Sequence, residues 1–381
     1  CDACLDDMIR QPRRSDYPFV NCTSCGPRFS IIKDLPYDRP ATTMVSFAMC
    51  PECAREYNDE TDRRFHAQPI ACNHCGPHYT LREKSGVVID DYPTIRRRLS
   101  AVLSGGGVVA LKGIGGYNLI CNPFSPMAVK RLRVLKERPH KPFAVMVPDM
   151  ETARRFAFLS RREEAVLLSW RRPILLARQR RVLASAINEG YCTLGLMLPF
   201  QPVHYHIFSD TGLKALVFTS GNKKGYPLCA DDDEAVVQLL EGTDIFVTYN
   251  RSIYNRVDDS VVRVIADAPR LLRRARGYVP DPLPADMSVE GVFAAGAERT
   301  NHFAIGKGSE IILSPYIGTL RDCAVADLYG DTLTRYTRLF RFEPRLVACD
   351  KHPDYFSTRF AESYACLLYT SDAADDGESV D

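Results

Sequence analysis

The chain opens with CDACLDDMIRQPRRSDYPFVNCTSCGPRFS (residues 1–30) and repeats the same module as CPECAREYNDETDRRFHAQPIACNHCGPHYT (residues 50–80). Each copy holds a Cys-x-x-Cys pair, a spacer of 17 or 18 residues, and a Cys-x-x-Cys-Gly-Pro segment. Two thiolate pairs at this spacing are typical of a tetrahedral zinc site. The repeat therefore predicts two small modules, each organised by its own metal ion.

The eight repeated cysteines divide into two predicted ligand sets. These sets are Cys1, Cys4, Cys22 and Cys25, and Cys50, Cys53, Cys72 and Cys75. Four thiolates leave no position open for a substrate, so both sites are expected to be structural, and modules of this size need their metal to fold. Redox pairs or disulfides are the alternative, and an iron–sulfur cluster is the main rival among metals. The doubled, wide spacing favours zinc over both.

The composition bounds the class of protein. A net charge of +2, with 45% hydrophobic and 25% charged residues, is that of an ordinary globular protein of two or three domains. This balance argues against a general nucleic-acid coat, and no apolar run is long enough to span a membrane. The six remaining cysteines are scattered singly, unlike a secreted disulfide framework, so a reducing, cytoplasmic location is expected.

The pattern after the modules is that of an α/β domain. A polar link is predicted at residues 81–91. GVVALKGIGGY (107–117) then reads as a buried strand followed by a glycine-rich turn, and FAVMV (143–147) as another strand. Between them, Ser125 and Pro126 are typical of a helix start. The apolar stripe of this helix is Ala128, Leu132 and Leu135.

A dense group of cations begins on that helix and continues into the loop after it. Lys130, Arg131 and Arg133 lie on the helix and are most simply a solvated face. Lys136, Arg138 and Lys141 lie at the helix end and in a loop stiffened by two prolines. Cations at a helix C-terminus are favourable without any ligand, yet a pre-aimed Lys/Arg group is also what a bound phosphate needs. From spacing alone, an anion site and a charged surface remain equal alternatives.

Other polar groups follow later strands. ALVFTSGN (215–222) is a strand ending in Thr219, Ser220, Gly221 and Asn222, which suit a small ligand or an ordinary turn. NRVDDSVVRVI (255–265) and LLRRARGYVP (271–280) add further groups, namely Asp258, Asp259, Ser260, Arg273, Arg274 and Arg276. Together these motifs predict a pocket for a nucleotide or an acyl phosphate. The chain has no Gly-x-x-x-x-Gly-Lys-Ser/Thr loop, which excludes a P-loop enzyme.

At these residues the sequence closely resembles the HypF carbamoyltransferase family of [NiFe]-hydrogenase maturation. The cysteine modules resemble its zinc fingers. KGIGGYNL, KERPHKPFAVM, TSGN, DDSVVR and RRARGYVP resemble its YrdC-like domain, and DKHPDYFST resembles the opening of its actin-like final domain. The implied fold class is α/β (α+β): tandem four-cysteine zinc modules (1–80), a YrdC-like twisted-sheet domain (92–281), and the start of an actin-like ATPase-superfamily domain (290–365).

The resemblance also implies an activity. Carbamoyl phosphate is cleaved, and the carbamate reacts with ATP, which is bound with Mg, to give carbamoyl-adenylate. The carbamoyl group is then loaded onto the C-terminal cysteine of HypE for cyanide-ligand synthesis. The family's Lys-x-Arg signature falls on Lys136 and Arg138, the implied catalytic residues, and its Ser-x-Asn signature on Ser220 and Asn222. The implied ATP-binding residues are Lys112, Lys141, Thr219, Ser220, Asn222, Ser260, Arg273 and Arg276.

The sequence departs from the family pattern in several places. The departures are Asn118, Asn122, Leu135, Thr300 and SPYIG (314–318). Residues 366–381 follow no family pattern and are predicted to be a non-native tail. Because an acylphosphatase-like domain and the histidine-rich metal site of the last domain are missing, the chain as given is expected to be an incomplete carbamoyltransferase that binds ATP without loading HypE.

Three rival classes remain open. A threonylcarbamoyl-adenylate synthase that modifies tRNA would share the YrdC-like pocket, but it would not need the fingers. A zinc-ribbon nucleic-acid binder would explain the fingers and arginines, but the balanced charge makes nucleic acid an unfavoured partner. A structural docking protein would use the zinc modules only to orient domains. An assay of pyrophosphate exchange into ATP would distinguish the two enzyme classes from the nucleic-acid binder and the docking protein.

Overall fold

The protein is described by a computed structural model that covers residues 1–181, 183, 185–364 and 367–371, with only the backbone for 185 and 367–371. The chain divides into two compact units. The first comprises residues 1–32, 36–224 and 228–273. The second comprises residues 33–35, 225–227 and the described part of 274–381.

The first unit contains eight α-helices and twelve strands among its described residues. The helices are α1 (Asp2–Arg10), α2 (Pro51–Asn58), α3 (Tyr92–Ser104), α4 (Pro126–Leu135), α5 (Met150–Phe156), α6 (Arg161–Leu168), α7 (Pro202–Thr211) and α8 (Asp232–Leu239). The strands are β1 (Tyr79–Glu83), β2 (Val88–Ile89), β3 (Val108–Lys112), β4 (Tyr117–Cys121), β5 (Ala144–Met146), β6 (Ala157–Phe158), β7 (Ile174–Gln179), β8 (Thr193–Met197), β9 (Leu216–Ser220), β10 (Ile245–Tyr249), β11 (Val261–Ile265) and β12 (Ala268–Arg273).

All twelve strands belong to one mixed sheet. Their order is β12-β11-β7-β8-β5-β9-β4-β3-β10-β1-β2, and β6 pairs with β7. Every residue of β3 and β4 is buried, so these strands form the centre of the sheet. β9 is antiparallel to β4, which is antiparallel to β3, so the carboxyl ends of β3 and β9 lie at the same edge. That edge carries both the glycine-rich turn and the Thr219–Asn222 segment.

The prediction of a polar link at residues 81–91 was wrong. β1 and β2 form an antiparallel hairpin there, and β1 pairs along its whole length with β10. The exposure of β1 alternates, because Tyr79 and Leu81 are buried while Arg82 is exposed. A strand with one solvated face has many polar residues, and this composition resembled a link.

The helix that carries the cations forms as predicted. The hydroxyl of Ser125 accepts a hydrogen bond from the backbone N–H of Ala128 at 3.3 Å, and Pro126 occupies the first turn. Ala128 and Leu132 are fully buried on the sheet side. The helix ends at Leu135, with Lys136 as its C-cap and Glu137 in the left-handed region at a φ of 46°. The turn aims the following loop back across the sheet edge.

The cysteine modules and the sheet share one continuous core. Cys4, Met8 and Phe19 of the first module lie in the same buried cluster as the residues of α3, β1, β3 and β10. The ring of Phe19 stacks on Tyr79 at 4.8 Å between centroids and meets Tyr249 edge-on at 5.1 Å. Such aromatic contacts stabilise beyond the area they bury. The modules are therefore part of the globular unit that contains the sheet.

The second unit is a mixed sheet covered by helices. Its strands are β13 (Leu283–Pro284), β14 (Val292–Ala294), β15 (Ala304–Lys307), β16 (Glu310–Leu313), β17 (Leu346–Asp350) and β18 (Leu367–Ser371), and its helices are α9 (Cys323–Phe340) and α10 (Phe356–Glu362). The strand order is β13-β16-β15-β14-β17-β18. α9 buries Val325, Tyr329, Leu333 and Tyr336 along one face, the spacing of a helix packed on a sheet.

Most of the segment predicted as a non-native tail, residues 366–381, lies outside the described residues. Its described part, β18, pairs in parallel with β17. The predicted domain and tail boundaries stay predictions. Over the described ranges, no helix combines the length and the apolar character needed to cross a membrane.

Candidate functional sites: two four-cysteine clusters and a basic cluster

The two predicted cysteine sets come together as compact clusters. In the first, the Sγ atom of Cys22 lies 3.7 Å from that of Cys1 and 3.8 Å from that of Cys25, and Cys25 lies 3.6 Å from Cys4. In the second, Cys72 lies 3.8 Å from both Cys50 and Cys75. All Sγ atoms within a set lie within 4.8 Å of one another.

These distances fit a tetrahedral zinc ion. A Zn–S bond of about 2.3 Å gives a tetrahedron whose sulfur–sulfur edge is about 3.8 Å. A disulfide would need about 2.05 Å, and the eight cysteines are unpaired. The pKa of Cys25 is lowered to about 5, chiefly by its hydrogen bond with Cys4, and that of Cys75 to about 4, chiefly by its hydrogen bond with Cys53. The same hydrogen bonds raise the pKa of Cys4 and of Cys53, so each cluster without an ion favours one thiolate, and a bound metal would have to stabilise the others.

A basic cluster lies at the sheet edge where β9 ends. We define it as Lys136, Arg138, Thr219, Ser220 and Asn222. Lys136 is only 7% exposed, and its Nζ donates to the carbonyl oxygens of Ser220 and Asn222 and to Oδ1 of Asn222, each at 2.7 Å. These three contacts match the three N–H groups of an ammonium. Lys136 therefore fixes the Ser220–Asn222 turn and places a positive charge beneath it.

Arg138 completes the basic cluster from the loop side. Its Nη1 approaches Oγ1 of Thr219 at 3.4 Å, its Nε donates to the carbonyl of Lys141 at 3.0 Å, and its Nη2 donates to the carbonyl of Pro142. The guanidinium also lies over the ring of Phe143, 5.0 Å from the centroid. These contacts hold its charge beside the turn that Lys136 fixes.

The cations of the basic cluster are partly desolvated and lie close to one another. Burial, and then the nearby charge of Arg138, lower the pKa of Lys136 to about 7. Burial, and then Arg273, lower the pKa of Arg138 to about 10. Cations that are desolvated and repel one another favour a bound anion, which would restore their charged forms.

The other predicted ligand residues are placed as follows. Arg273 is paired with Asp258 at 2.7 Å and acts electrostatically on Arg138. Lys112 is buried and binds Asp232 at 2.6 Å and the carbonyl of Tyr249 at 3.0 Å. Ser260 is fully buried, the loop residue Lys141 is exposed, and Arg276 belongs to the second unit. The part played by these residues in ligand binding stays a prediction.

The interpretation of Lys130, Arg131 and Arg133 as a solvated face was wrong for Arg133. Lys130 is exposed, and the side chain of Arg131 is 40% exposed while it pairs with Asp244 at 2.9 Å. Arg133 donates to the carbonyls of Ala186 at 2.6 Å and of Arg138 at 2.7 Å, and it lies over the ring of Phe143 at 4.7 Å. These partners all lie outside the helix, so the helical spacing carried no signal of the contacts.

Comparisons with known proteins agree with this architecture. The HypF finger matches residues 1–32 and 49–82, the Telomere recombination (Sua5–YciO–YrdC) family matches 101–275, and the HypF Kae1-like domain matches 287–372. The middle segment is also 27% identical over 164 residues to a threonylcarbamoyl-AMP synthase of Histophilus somni, covering 86% of that protein. The chain is therefore of the class in which zinc-finger-like modules precede a Sua5/YrdC-type sheet and a Kae1-like segment.

The whole chain has relatives with the same order. It is 40% identical over 371 residues to carbamoyltransferase HypF of Rhodobacter capsulatus, covering 97% of this chain and 49% of that protein. A crystal structure of full-length HypF in the phosphate- and nucleotide-bound form superposes with a TM-score of 0.93 at 42% identity, over 97% of this chain and 49% of that one. The chain belongs to the HypF family and spans about half the length of the relatives it matches.

Proposed function

We propose that the first unit binds ATP at the basic cluster and forms carbamoyl-adenylate, as one step of an ATP-dependent carbamoyltransferase. The observation that carries this proposal is the pair formed by the buried Lys136 and the half-buried Arg138, whose lowered pKa values are those expected of a site suited to phosphate groups. The HypF relationship and the likeness to a threonylcarbamoyl-AMP synthase support an adenylate-forming role for the segment that holds this pair.

The proposed chemistry is a substitution at phosphorus. An oxygen of carbamate attacks the α-phosphorus of ATP, the bond to the β-phosphate oxygen breaks, and pyrophosphate leaves with the bonding electrons. Lys136 and Arg138 neutralise charge that develops on the phosphates, and Mg accompanies ATP as its usual counterion. Catalysis is then positioning and electrostatic stabilisation, with no covalent protein intermediate.

The proposed contacts of the nucleotide extend beyond this pair. The residues of the first unit are Lys112, Lys141, Thr219, Ser220, Asn222, Ser260 and Arg273, while for Arg276, which belongs to the second unit, only the family resemblance predicts a role. The carbamate would derive from carbamoyl phosphate. The acceptor would be the C-terminal cysteine of a HypE-like protein, whose thiolate attacks the carbamoyl carbon and releases AMP, and whose product is the precursor of the cyanide ligand. The metal of both clusters is proposed to be zinc, and the unpaired cysteines fit a cytoplasmic location.

The function is tested by exchange of labelled pyrophosphate into ATP. The reaction is run with carbamate, freshly released from carbamoyl phosphate, and separately with threonine plus bicarbonate. Exchange that requires carbamate supports the proposal. Exchange that requires threonine would instead favour the threonylcarbamoyl-adenylate activity of the Histophilus somni relative. ATP binding without exchange in either mixture would contradict both enzyme assignments.

Nucleotide affinity is expected to fall as the pH rises above about 7. The pKa of Lys136 is about 7 in the free protein, and a bound phosphate raises it, so binding above that pH takes up a proton. Affinity should be flat below pH 7 and fall by up to about tenfold per pH unit above it. Isothermal titration with ATP from pH 6 to 9 measures the slope.

The Lys136→Met variant is the control for this pH dependence, because titration of ATP itself is common to both proteins and cancels in the comparison. Above pH 7, the ATP affinity of the parent protein should fall more steeply than titration of ATP alone explains. The variant should lose this additional fall. An identical pH profile in the two proteins would show that Lys136 does not carry the dependence.

A further inference from the structure

Arginines at equivalent positions of the two cysteine modules contact the cysteines of the other module. Each repeat carries an Arg-Arg pair at the same position, Arg13–Arg14 in the first and Arg63–Arg64 in the second. Each also carries one acid three residues after its second cysteine, Asp7 in the first and Glu56 in the second.

The arginine pairs cross between the modules. From the second module, Arg63 Nη1 donates to Sγ of Cys4 at 3.2 Å, and both Arg63 and Arg64 are paired with Asp7. In the opposite direction, Nη2 of Arg13 and Nη2 of Arg14 each lie 3.6 Å from Sγ of Cys53. Arg13 and Arg14 are in turn paired with Glu56. Each arginine pair therefore serves the cluster of the other repeat.

The backbone contacts cross in the same way. Nε of Arg14 donates to the carbonyl of Ala71, just before Cys72, at 3.1 Å. Nε of Arg64 donates to the carbonyl of Asn21, just before Cys22, at 3.0 Å. Both arginines are almost fully buried, at 0% and 2% exposure. These contacts position the second cysteine pair of each module through a side chain from its neighbour.

The energetic consequence follows from the charges. A divalent ion with four thiolates carries a net charge of about −2, which buried guanidinium groups neutralise. If one module unfolds, its arginines withdraw from the other module's thiolates and leave a carboxylate without its partner. Losing one partner of a buried ion pair is costly, so the state of one cluster changes the stability of the other.

We propose that the two metal sites fill and empty as one cooperative unit, in which each module supplies the arginines that stabilise the thiolates of the other. The inference rests on the fit of both clusters to zinc and does not depend on the proposed reaction. Arg63 and Arg13 are positioning residues for the opposite site, and the effect of replacing either is expected to appear across the repeat.

The first test is a zinc removal followed by native mass spectrometry of the whole chain. The zinc-loaded protein is titrated with a chelator until half of the zinc is gone. Independent sites of equal affinity would leave about half of the molecules with one ion, and unequal independent sites would leave more. Molecules with two ions and with none should dominate if the sites are cooperative. A one-ion population of half or more would overturn the proposal.

The second test locates the coupling. Arg63→Gln and Arg13→Gln are compared with Arg10→Gln, a control whose exposed side chain pairs with Asp6 inside one helix. During chelation, pulses of a thiol alkylator followed by peptide mapping report which cysteines are free. Arg63→Gln should speed exposure of the first cluster about tenfold, with the second cluster following it, and Arg13→Gln should speed exposure of the second, with the first following. An effect confined to the variant's own module, or rates equal to those of Arg10→Gln, would overturn the proposal.

Discussion

Replacing Cys72 with serine is expected to remove the metal from the second cluster and to unfold its module. The buried core around that cluster consists of Cys50, Cys53, Ala67, Ile70 and Cys72, three of which are predicted ligands. So small a core does not hold a fold without its ion, and structural zinc contributes about 10–16 kcal/mol in isolated finger peptides. Elemental analysis at saturating zinc should fall from two zinc ions per chain to one, and the remaining ion should be held more weakly.

Hydrogen exchange provides the structural measurement for this variant. Backbone amides of residues 50–75 should lose protection in Cys72→Ser. The matched control is Cys192→Ser, because Cys192 is exposed and lies outside both clusters. That variant should keep two ions and the protection of the parent protein. Two firmly held ions in Cys72→Ser, or iron in place of zinc in the parent, would contradict the assignment of the clusters.

Replacing Lys136 with methionine is expected to weaken ATP binding about a hundredfold. The change removes a buried positive charge and three hydrogen bonds that fix the turn after β9. Loss of one charge-assisted interaction with a phosphate costs about 1.5–3 kcal/mol, and loss of the fixed turn brings the expected effect to the upper end of the resulting ten- to hundredfold range. Methionine has a similar length and no charge to bury, so the fold should remain intact. Isothermal titration gives the affinity, and thermal unfolding checks the fold.

The control for Lys136→Met lies on the same helix. Lys130 is exposed, and Lys130→Met removes the same charge from α4. The affinity of that variant for ATP should stay within about twofold of the parent, since exposed charges act weakly through solvent. If both variants bind ATP like the parent, the basic cluster is a charged surface and the nucleotide binds elsewhere. If both are weakened equally, the effect is one of overall charge and not of Lys136.

The sequence allowed the cysteine sets and the basic loop to be predicted because their signals are local or repeated. The doubled spacing of Cys-x-x-Cys pairs identifies the ligands of each cluster without any knowledge of the fold. The link between Lys136 and Ser220 came from the resemblance to the HypF family, whose Lys-x-Arg and Ser-x-Asn signatures fall on these residues. The hydrogen bonds of Lys136 to the Ser220–Asn222 turn agree with that expectation.

The contacts that were missed depend on the three-dimensional arrangement alone. Arg133 lies on the helix face that periodicity assigns to solvent, yet it donates hydrogen bonds to the backbone carbonyls of Ala186 and Ile187. The repeat contains two equivalent Arg-Arg pairs, but the sequence does not reveal whether each serves its own module or the other. The hairpin of β1 and β2 was hidden by its solvated face. For the arginines, a contact distant in sequence decides the role of the residue.

The stacking of Phe19 between the modules and the sheet has a practical consequence for anyone who dissects this protein. A truncation between residues 80 and 92, at the boundary that the repeat suggests, would cut through an aromatic cluster. The isolated sheet would expose Tyr249. The hydroxyl of this residue donates a hydrogen bond to the carbonyl oxygen of Gly113, in the glycine-rich turn, at 2.6 Å. An expression fragment without the fingers should therefore be prone to aggregation, and supplementing the growth medium with zinc should raise the yield of the intact chain.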